Sequence, residues 1–423
     1  MWQGRLVTAE IRNVDEAELV PWLKTMRTGL MADPGPISDS ALDFWHEVWE
    51  SDRIFGGYDG GRCVGTLRTF ATGYSVPIGR NRTADISCDA LTQVSVAATH
   101  RRQGILTGML TRSLDRAKER GETISLLRAA EWGIYGRFGY SPTSKTADYT
   151  VKTASRPAIR EPQSRLTVVQ VEPDEALDRA VGLLSQARGQ EHGHIDRPLS
   201  MWKRRLRLHR PPGLFEPVCL FARTADGVDE GFLMWTGKEG DWYHDSLNQV
   251  EITIDDLIAV TPDAYKALWS YLINIDLART IAYRERATDE PLEWLLTDGR
   301  AARRGNVMDG DWLRILDLST ALQARRYALD DRLVLDVVDA DAGGYAQGRW
   351  QLDAGPDHAE CTPTSVSADL TVSQRALAAI YGGGNTVRSQ WLAGLIDEHR
   401  PGAMDRLNRL FATERQPWDA TGF

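Results

Sequence analysis

Residues 16–30 carry Leu19, Val20, Leu23 and Met26 at helical spacing, and residues 6–14 before them alternate as a strand does. A second helical stretch surrounds residues 41–49. Residues 53–74 read as a hairpin, because the flanks IFGGY and CVGTLRTF are β-rich and Asp59-Gly60-Gly61 supplies a turn. A strand is predicted over 86–96 and a long helix over 100–120, with Ile105, Leu106, Met109, Leu110, Leu114 and Ala117 along one side. A strand at 123–127, a short helix near 133–138 and a strand at 146–152 complete a mixed α/β unit.

Residues 153–164 break this pattern with two prolines and little periodicity, which predicts a linker. The order of elements then repeats: strand 166–171, helix 174–188, a hairpin over 218–235 turning at Ala225-Asp226-Gly227, strand 251–260, helix 262–277 and strand 280–284. Such a recurrence predicts an internal duplication. From about residue 316, alternating strands precede helical stretches at 373–381, 388–398 and 402–412, an α+β third domain. The expected divisions are 1–152, 165–315 and 316–423.

Composition fits this reading, since 423 residues are ample for two to three domains. Lys and Arg number 50 against 59 Asp and Glu, and the net charge of −9 argues against a general nucleic-acid binder. No apolar run nears the roughly 18 residues of a membrane span, and the N-terminus lacks the apolar core of a signal peptide. A cytoplasmic protein without a membrane partner is therefore expected. Cys63, Cys88, Cys219 and Cys361 lie far apart with no CxxC spacing, so no metal site is expected.

The stretch from Thr92 to Thr107 is the most informative. A strand ends near Val96, and Arg101-x-x-Gly104 opens the long helix. A helix N-terminus offers unpaired N–H groups and the positive end of a dipole, which suits a pyrophosphate. Gly104 allows close approach of backbone to the anion, and Arg101 and Arg102 can add charge-assisted hydrogen bonds. The backbone of Val94 and Val96 can pair with an extended, amide-containing ligand such as pantetheine. Downstream, Tyr135 sits on a short helix four residues before Gly139. Its phenol, of reference pKa about 10, can protonate a thiolate of reference pKa about 8.5 if a site holds the two together. A helix that merely begins with arginines and a packed tyrosine are the alternatives.

In VSVAATHRRQGIL, EWGIYGRFGY, LRILDLSTALQARRYA and ECTPTSVSADLTVS, and in its aromatic last residue, the chain resembles the Eis (enhanced intracellular survival) family of aminoglycoside N-acetyltransferases, within the GNAT superfamily. The likeness spans nearly the whole chain. It implies tandem GNAT-like domains, the second degenerate, followed by a sterol-carrier-like domain, and a homohexamer. It implies acetyl-CoA as co-substrate, held by Val94, Ser95, Val96, Arg102, Gln103, Gly104, Ile105, Leu106, Thr107, Ala130 and Glu131. Tyr135 is the implied general acid, and the α-carboxylate of Phe423 the implied general base. The implied acceptor is a primary amine on a polycation such as an aminoglycoside, with lysine side chains or polyamines as alternatives. Leu106, Ala130 and Trp132 depart from the family pattern, and Trp132 is expected to narrow the acceptor entrance. The second repeat has no Arg-x-x-Gly; its helix opens Thr261-Pro262-Asp263, with an acid where an anion would bind.

Other conspicuous residues have plainer roles. His192-Gly-His194 has no third ligand at a metal-binding spacing and reads as a polar loop. Lys203, Arg204, Arg205, Arg207, His209 and Arg210 form a basic cluster, read as a solvated face or interface. Gly382-Gly383-Gly384 reads as a turn. Asp33 and Trp45 lie in segments that line the acceptor pocket in the resembled family, although packing is the plainer role for Trp45. Against an enzyme stands a lipid-carrier-like protein with relic acetyltransferase domains; the intact Arg101-x-x-Gly104 and Tyr135 favour the enzyme.

Overall fold

The computed structural model describes residues 9–153, 157–161, 163–208, 216–237, 250–341 and 343–423. Residues 6–8 of the first expected strand, parts of the linker, and His209 and Arg210 lie outside the described residues.

Three sheets carry the described residues. The first runs, in spatial order, Glu10–Asn13, Ile54–Asp59, Arg62–Gly79, Arg82–Val96, Ile124–Arg128, Asp311–Ile315 and Ser141–Pro142. The second runs Ala302–Asp309, Lys145–Lys152, Ala278–Ala287, Val250–Ala259, Asp229–Gly237, Val218–Arg223 and Thr167–Val171. A five-stranded third sheet holds Ala359–Pro363, Gly348–Ala354, Asp331–Val338, Leu370–Ser373 and Ile396–Glu398.

The first two sheets exchange strands. Lys145–Lys152, which the sequence pattern attaches to the first unit, pairs on both sides within the second sheet. Asp311–Ile315 returns the exchange, pairing antiparallel with Ile124–Arg128 from Asp311↔Arg128 to Ile315↔Ile124. Local pattern marks a strand but says nothing of its partner, so this pairing is invisible in sequence.

Other elements differ at their ends. The helix expected from residue 100 begins at Ile105, because Arg102 and Gly104 both adopt positive φ (63° and 82°) and His100 closes a 3₁₀ turn instead. The helix expected over 388–398 stops at Leu392; Gly394, at φ 72°, turns the chain and Ile396–Glu398 pairs as an edge strand.

The third domain is not a separate globule. One continuous apolar core joins Tyr74, Cys88, Ile124, Leu313 and Ile315 of the first sheet to Leu333, Leu370, Leu377 and Phe411 of the third domain. Its apolar face is thus spent on packing. Such burial contributes about 25 cal/mol per Å² of apolar surface, and it fixes the third domain, and the tail beyond it, against the first.

Candidate active site

Parallel pairing of Arg82–Val96 with Ile124–Arg128 runs from Cys88↔Ile124 to Leu91↔Leu127 and stops there. Two residues on, Gln93 adopts φ 55° in a bulge, where the register against Arg62–Gly79 slips between Thr66↔Ser95 and Arg68↔Thr92. A bulge bends and twists its strand. Beyond it the strands part, and Val94 and Val96 have no strand partner on the side facing Arg128–Glu131 among the described residues. This is the edge that the sequence assigns to an amide-containing ligand.

Ser95 differs from its neighbours. Its hydroxyl lies 2.8 Å from that of Thr66, and its side chain abuts Gly29, so only its main chain can serve a ligand in the cleft.

The cleft ends at the N-terminus of helix Ile105–Glu119. The first helical hydrogen bond is from Gly108 N to Gly104 O at 2.8 Å, which leaves the N–H groups of Gly104, Ile105, Leu106 and Thr107 to an outside acceptor. No acidic residue lies in this first turn. Gly104 is exposed, with open space around the position of a Cβ, so its left-handed backbone rather than crowding calls for glycine. Arg101 and Arg102 are exposed beside it. The side chain of Ile105 points inward instead, filling the room left by Gly57 and Gly65, where a Cβ would meet it at 2.6 and 2.7 Å. That contact seats the helix on the sheet. Gln103 Oε1 is buried without a hydrogen-bond partner, so this side chain packs rather than reaching outward. Ala130 and Glu131 are exposed in the loop across the cleft.

Tyr135 ends the short helix Trp132–Tyr135, 7% exposed, with its ring edge-on to Tyr140. Burial, and secondarily the charge of Glu131, push its phenol up to about 12. Trp132 stands exposed against the edge of Trp312 at 4.9 Å between centroids.

The chain terminus is pinned, although Thr421-Gly422 reads as flexible in sequence. Trp418 donates to Glu285 O at 2.8 Å and packs between His194 and Arg286. The Asp419 carboxylate accepts from Ile195 N at 3.1 Å and Gly422 N at 3.2 Å. Arg197 Nη2 donates to Ala420 O at 3.0 Å and Arg205 reaches Thr421 O at 3.4 Å. Thr421 is 4% exposed. Phe423 then sets its ring edge-on against Phe70, 5.5 Å away.

His194, Arg197 and Arg205 belong to the second repeat, and nothing in their sequence context signals this role. His192 Nε2 donates to Gly382 O, 2.9 Å away, and burial holds its imidazole down at about 4. The His-Gly-His loop and the triple glycine are thus fasteners under the tail. Among the described residues no group of three or more His, Cys, Asp or Glu could hold a metal. Asp33 is exposed and accepts from Gly35 N in its own loop. Trp45 is core, edge-on to Trp22.

The second repeat closes the corresponding place. Pairing of Val250–Ala259 with Ala278–Ala287 also stops early, at Ile254↔Tyr283, but the next helix is capped by Thr261, whose hydroxyl accepts from Ala264 N, and Asp263 occupies its first turn. Pro262 has no N–H to offer, and Asp263 sets a negative charge in a first turn where the first helix has none.

Family models match the chain in the same three parts: an Acetyltransferase (GNAT) domain over residues 10–143, a second over 193–315, and a Sterol carrier protein domain over 318–419. An uncharacterized N-acetyltransferase of Streptomyces avermitilis is 34% identical over 416 residues, 97% of each chain. N-acetyltransferase Eis of Mycobacterium tuberculosis is 31% identical over 330 residues, 77% of this chain and 78% of its own. This chain belongs to the Eis-related acetyltransferases of the GNAT superfamily. The crystal structure of Eis1 from Mycobacterium abscessus superposes with a TM-score of 0.84 at 28% identity, covering 98% of this chain and all of that one. A GCN5-related N-acetyltransferase from Anabaena variabilis shares the fold with the same TM-score at 19% identity. Tandem GNAT domains with a sterol-carrier-like domain, and acetyl-CoA-dependent acetyl transfer, are therefore properties of this Eis-related chain. No described helix is long and apolar enough to cross a membrane.

Proposed function

We propose that the first GNAT domain transfers acetyl from acetyl-CoA directly to a primary amine in a ternary complex, with Tyr135 as general acid and the Phe423 carboxylate as general base. The pinned tail carries this reading: a last residue is ordinarily frayed, yet here five consecutive residues are fastened down and the ring of Phe423 lies on the sheet of the first domain. Acetyl-CoA supplies a thioester whose C–S bond breaks as the amine nitrogen bonds to the carbonyl carbon. The terminal carboxylate, ionised above a reference pKa of about 3.3–3.7, takes the ammonium proton directly or through water. Tyr135, whose phenol at about 12 stays protonated across physiological pH, donates to the departing sulfur. The dry surroundings that raise the phenol also raise the proton affinity of the thiolate, which keeps the transfer near balance.

The 104–107 amides, the edge at Val94 and Val96, and Arg102 fit the phosphate and amide parts of acetyl-CoA, with Ala130 and Glu131 on the opposite bank. The second repeat serves as a scaffold that grips the tail. Family likeness supports aminoglycosides and other polycations as acceptors. We place the reaction in the cytoplasm, in keeping with four buried free thiols, and propose a homo-oligomer, a hexamer by the same likeness. An amine panel with acetyl-CoA, followed by thiol release, tests the reaction, and sedimentation tests the assembly. Thiol release absent from every amine while acetyl-CoA binds would leave the carrier-like alternative.

A further inference from the structure

Arg68 lies in the middle of Arg62–Gly79, two residues from Phe70 and on the same face. That face is opposite to Leu67, which belongs to the core under the acetyl-CoA helix. The guanidinium stands 5.6 Å from the ring of Trp45 and 5.8 Å from that of Phe70, and Phe70 carries the ring of Phe423. Arg68 therefore shares a wall with the residue whose carboxylate is the proposed base.

Its surroundings are unusual for a buried cation. Arg68 is 7% exposed, yet no carboxylate of the described residues lies within 4.0 Å of its nitrogens, and its one protein hydrogen bond is to Val48 O at 3.3 Å. Glu50, the acid whose field reaches it, is engaged by Arg53 at 3.0 Å. Arg53 and Arg204 add positive charge nearby. Burial brings Arg68 down only to about 10, so it remains charged at neutral pH. A buried charge without a counter-charge is costly, and proteins ordinarily pair it. A guanidinium flanked by aromatic rings offers its remaining N–H groups as a fork to a carboxylate or phosphate.

We infer that the acceptor carries an anionic group, a carboxylate or a phosphate, which Arg68 binds while the amine of the same molecule is presented beside Phe423. The inference rests on the proposed acetyl transfer and refines its acceptor: a zwitterionic amine is complemented at both ends, by Arg68 and by the Phe423 carboxylate.

Matched amines test it: 6-aminohexanoate against hexylamine, O-phosphoethanolamine against ethanolamine, with spermidine and kanamycin as polycations. Each is assayed by thiol release, and binding of each to the protein with coenzyme A is followed by calorimetry. The expected result is a higher kcat/KM for at least one anionic member over its neutral partner. Arg68→Leu should remove that preference, lowering kcat/KM for the anionic amine by about 10- to 100-fold more than for its neutral partner, the range for a hydrogen bond to a charged group. Arg68→Lys should restore part of it, which a purely structural role would not. Equal kcat/KM for both members of each pair, a preference for the polycations, or an equal loss on all amines in Arg68→Leu overturns the inference. If 6-aminohexanoate or O-phosphoethanolamine binds in an Arg68-dependent way but no amine releases thiol, the transfer reading fails and the anion site stands; if neither binds nor reacts, the anion site is wrong.

Discussion

Arg128 Nη2 donates to the main-chain oxygen of Asp419 at 3.1 Å, tying the last residue of the strand that flanks the proposed acetyl-CoA cleft to the tail that ends in Phe423. The same guanidinium reaches Asp311 at 3.1 Å, on the exchanged strand, and Glu285 at 2.7 Å in the second sheet. Strand exchange thus brings to one point the segments that hold the terminus. Burial and the neighbouring Asp419 carboxylate push Asp311 up to about 6 even with Arg128 beside it. Arg128 thus joins both sheets to the tail.

Arg128→Met should therefore loosen the tail at Asp419 and deprive the buried Asp311 and Asp419 carboxylates of their shared cation. We expect a lower unfolding temperature, since removing one partner of a buried pair costs about 3–5 kcal/mol. Turnover at saturating amine should fall further than acetyl-CoA affinity does, because the 104–107 amides are untouched. Calorimetry and steady-state thiol release on the same sample separate the two; equal losses in both would mean the tail has no part in chemistry.

A second buried network gives a pH signature. Asp89 lies 2.8 Å from Arg53 and 3.1 Å from Arg120, with Glu122 on the same arginines. Burial first, and the charge of Glu122 next, push its carboxyl up from 3.8 to about 7. A carboxyl raised on folding keeps its proton in the native state after the unfolded chain has lost it. Stability therefore falls as pH rises from about 4 to about 7, and the loss is complete above that window. Asn carries no such proton, so whatever its offset, Asp89→Asn should gain on the wild type in melting temperature between about pH 5 and about pH 8. A constant difference would show Asp89 ionised throughout.

Gly104→Trp should weaken acetyl-CoA binding severely by standing an indole over the free N–H groups of the helix. The left-handed backbone at φ 82° adds strain of about 1–2 kcal/mol, so melting temperature is recorded alongside. Unchanged affinity by calorimetry in a folded variant would remove the helix N-terminus from the coenzyme site.

The sequence shows this helix, its glycine and Tyr135 because their chemistry is local: a strand end, a cap and a first turn are written in neighbouring residues. What it conceals is long-range. Lys145–Lys152 alternates equally well for either sheet, and only the pairing with Ala278–Ala287 and Ala302–Asp309 decides. Arg197 and His194 look like ordinary loop residues until the tail arrives, more than two hundred positions later, to be held by them. Arg68 sits in a strand pattern that calls for an apolar or small polar residue, and its lack of a counter-charge is visible only when every neighbour is placed.

Tyr135→Phe should keep acetyl-CoA binding and lower turnover about 10²- to 10⁴-fold, the usual contribution of a general acid. Because the phenol is held near 12, it does not lose its proton within a practical assay range. An alkaline limb in the wild-type rate profile below that value therefore belongs to another group and should persist in the variant. Full turnover in Tyr135→Phe would assign the thiolate proton to water.

The sharpest test concerns Phe423. Its ring is fixed on Phe70 and the preceding residues are fastened, so the α-carboxylate has a defined place. Appending a short Gly-Ser segment leaves every side chain intact and converts that carboxylate into an amide, which cannot accept the proton of an ammonium at neutral pH. We expect turnover at saturating amine to drop about 10²- to 10⁴-fold, with little change in acetyl-CoA affinity or melting temperature. Proteolytic removal of the appended residues back to Phe423 should restore the rate, which excludes damage during preparation. A loss of melting temperature with the loss of rate would point to displaced packing instead. Undiminished turnover in the extended protein would remove the terminal carboxylate from the mechanism, and the base would then have to be sought among internal Asp and Glu side chains.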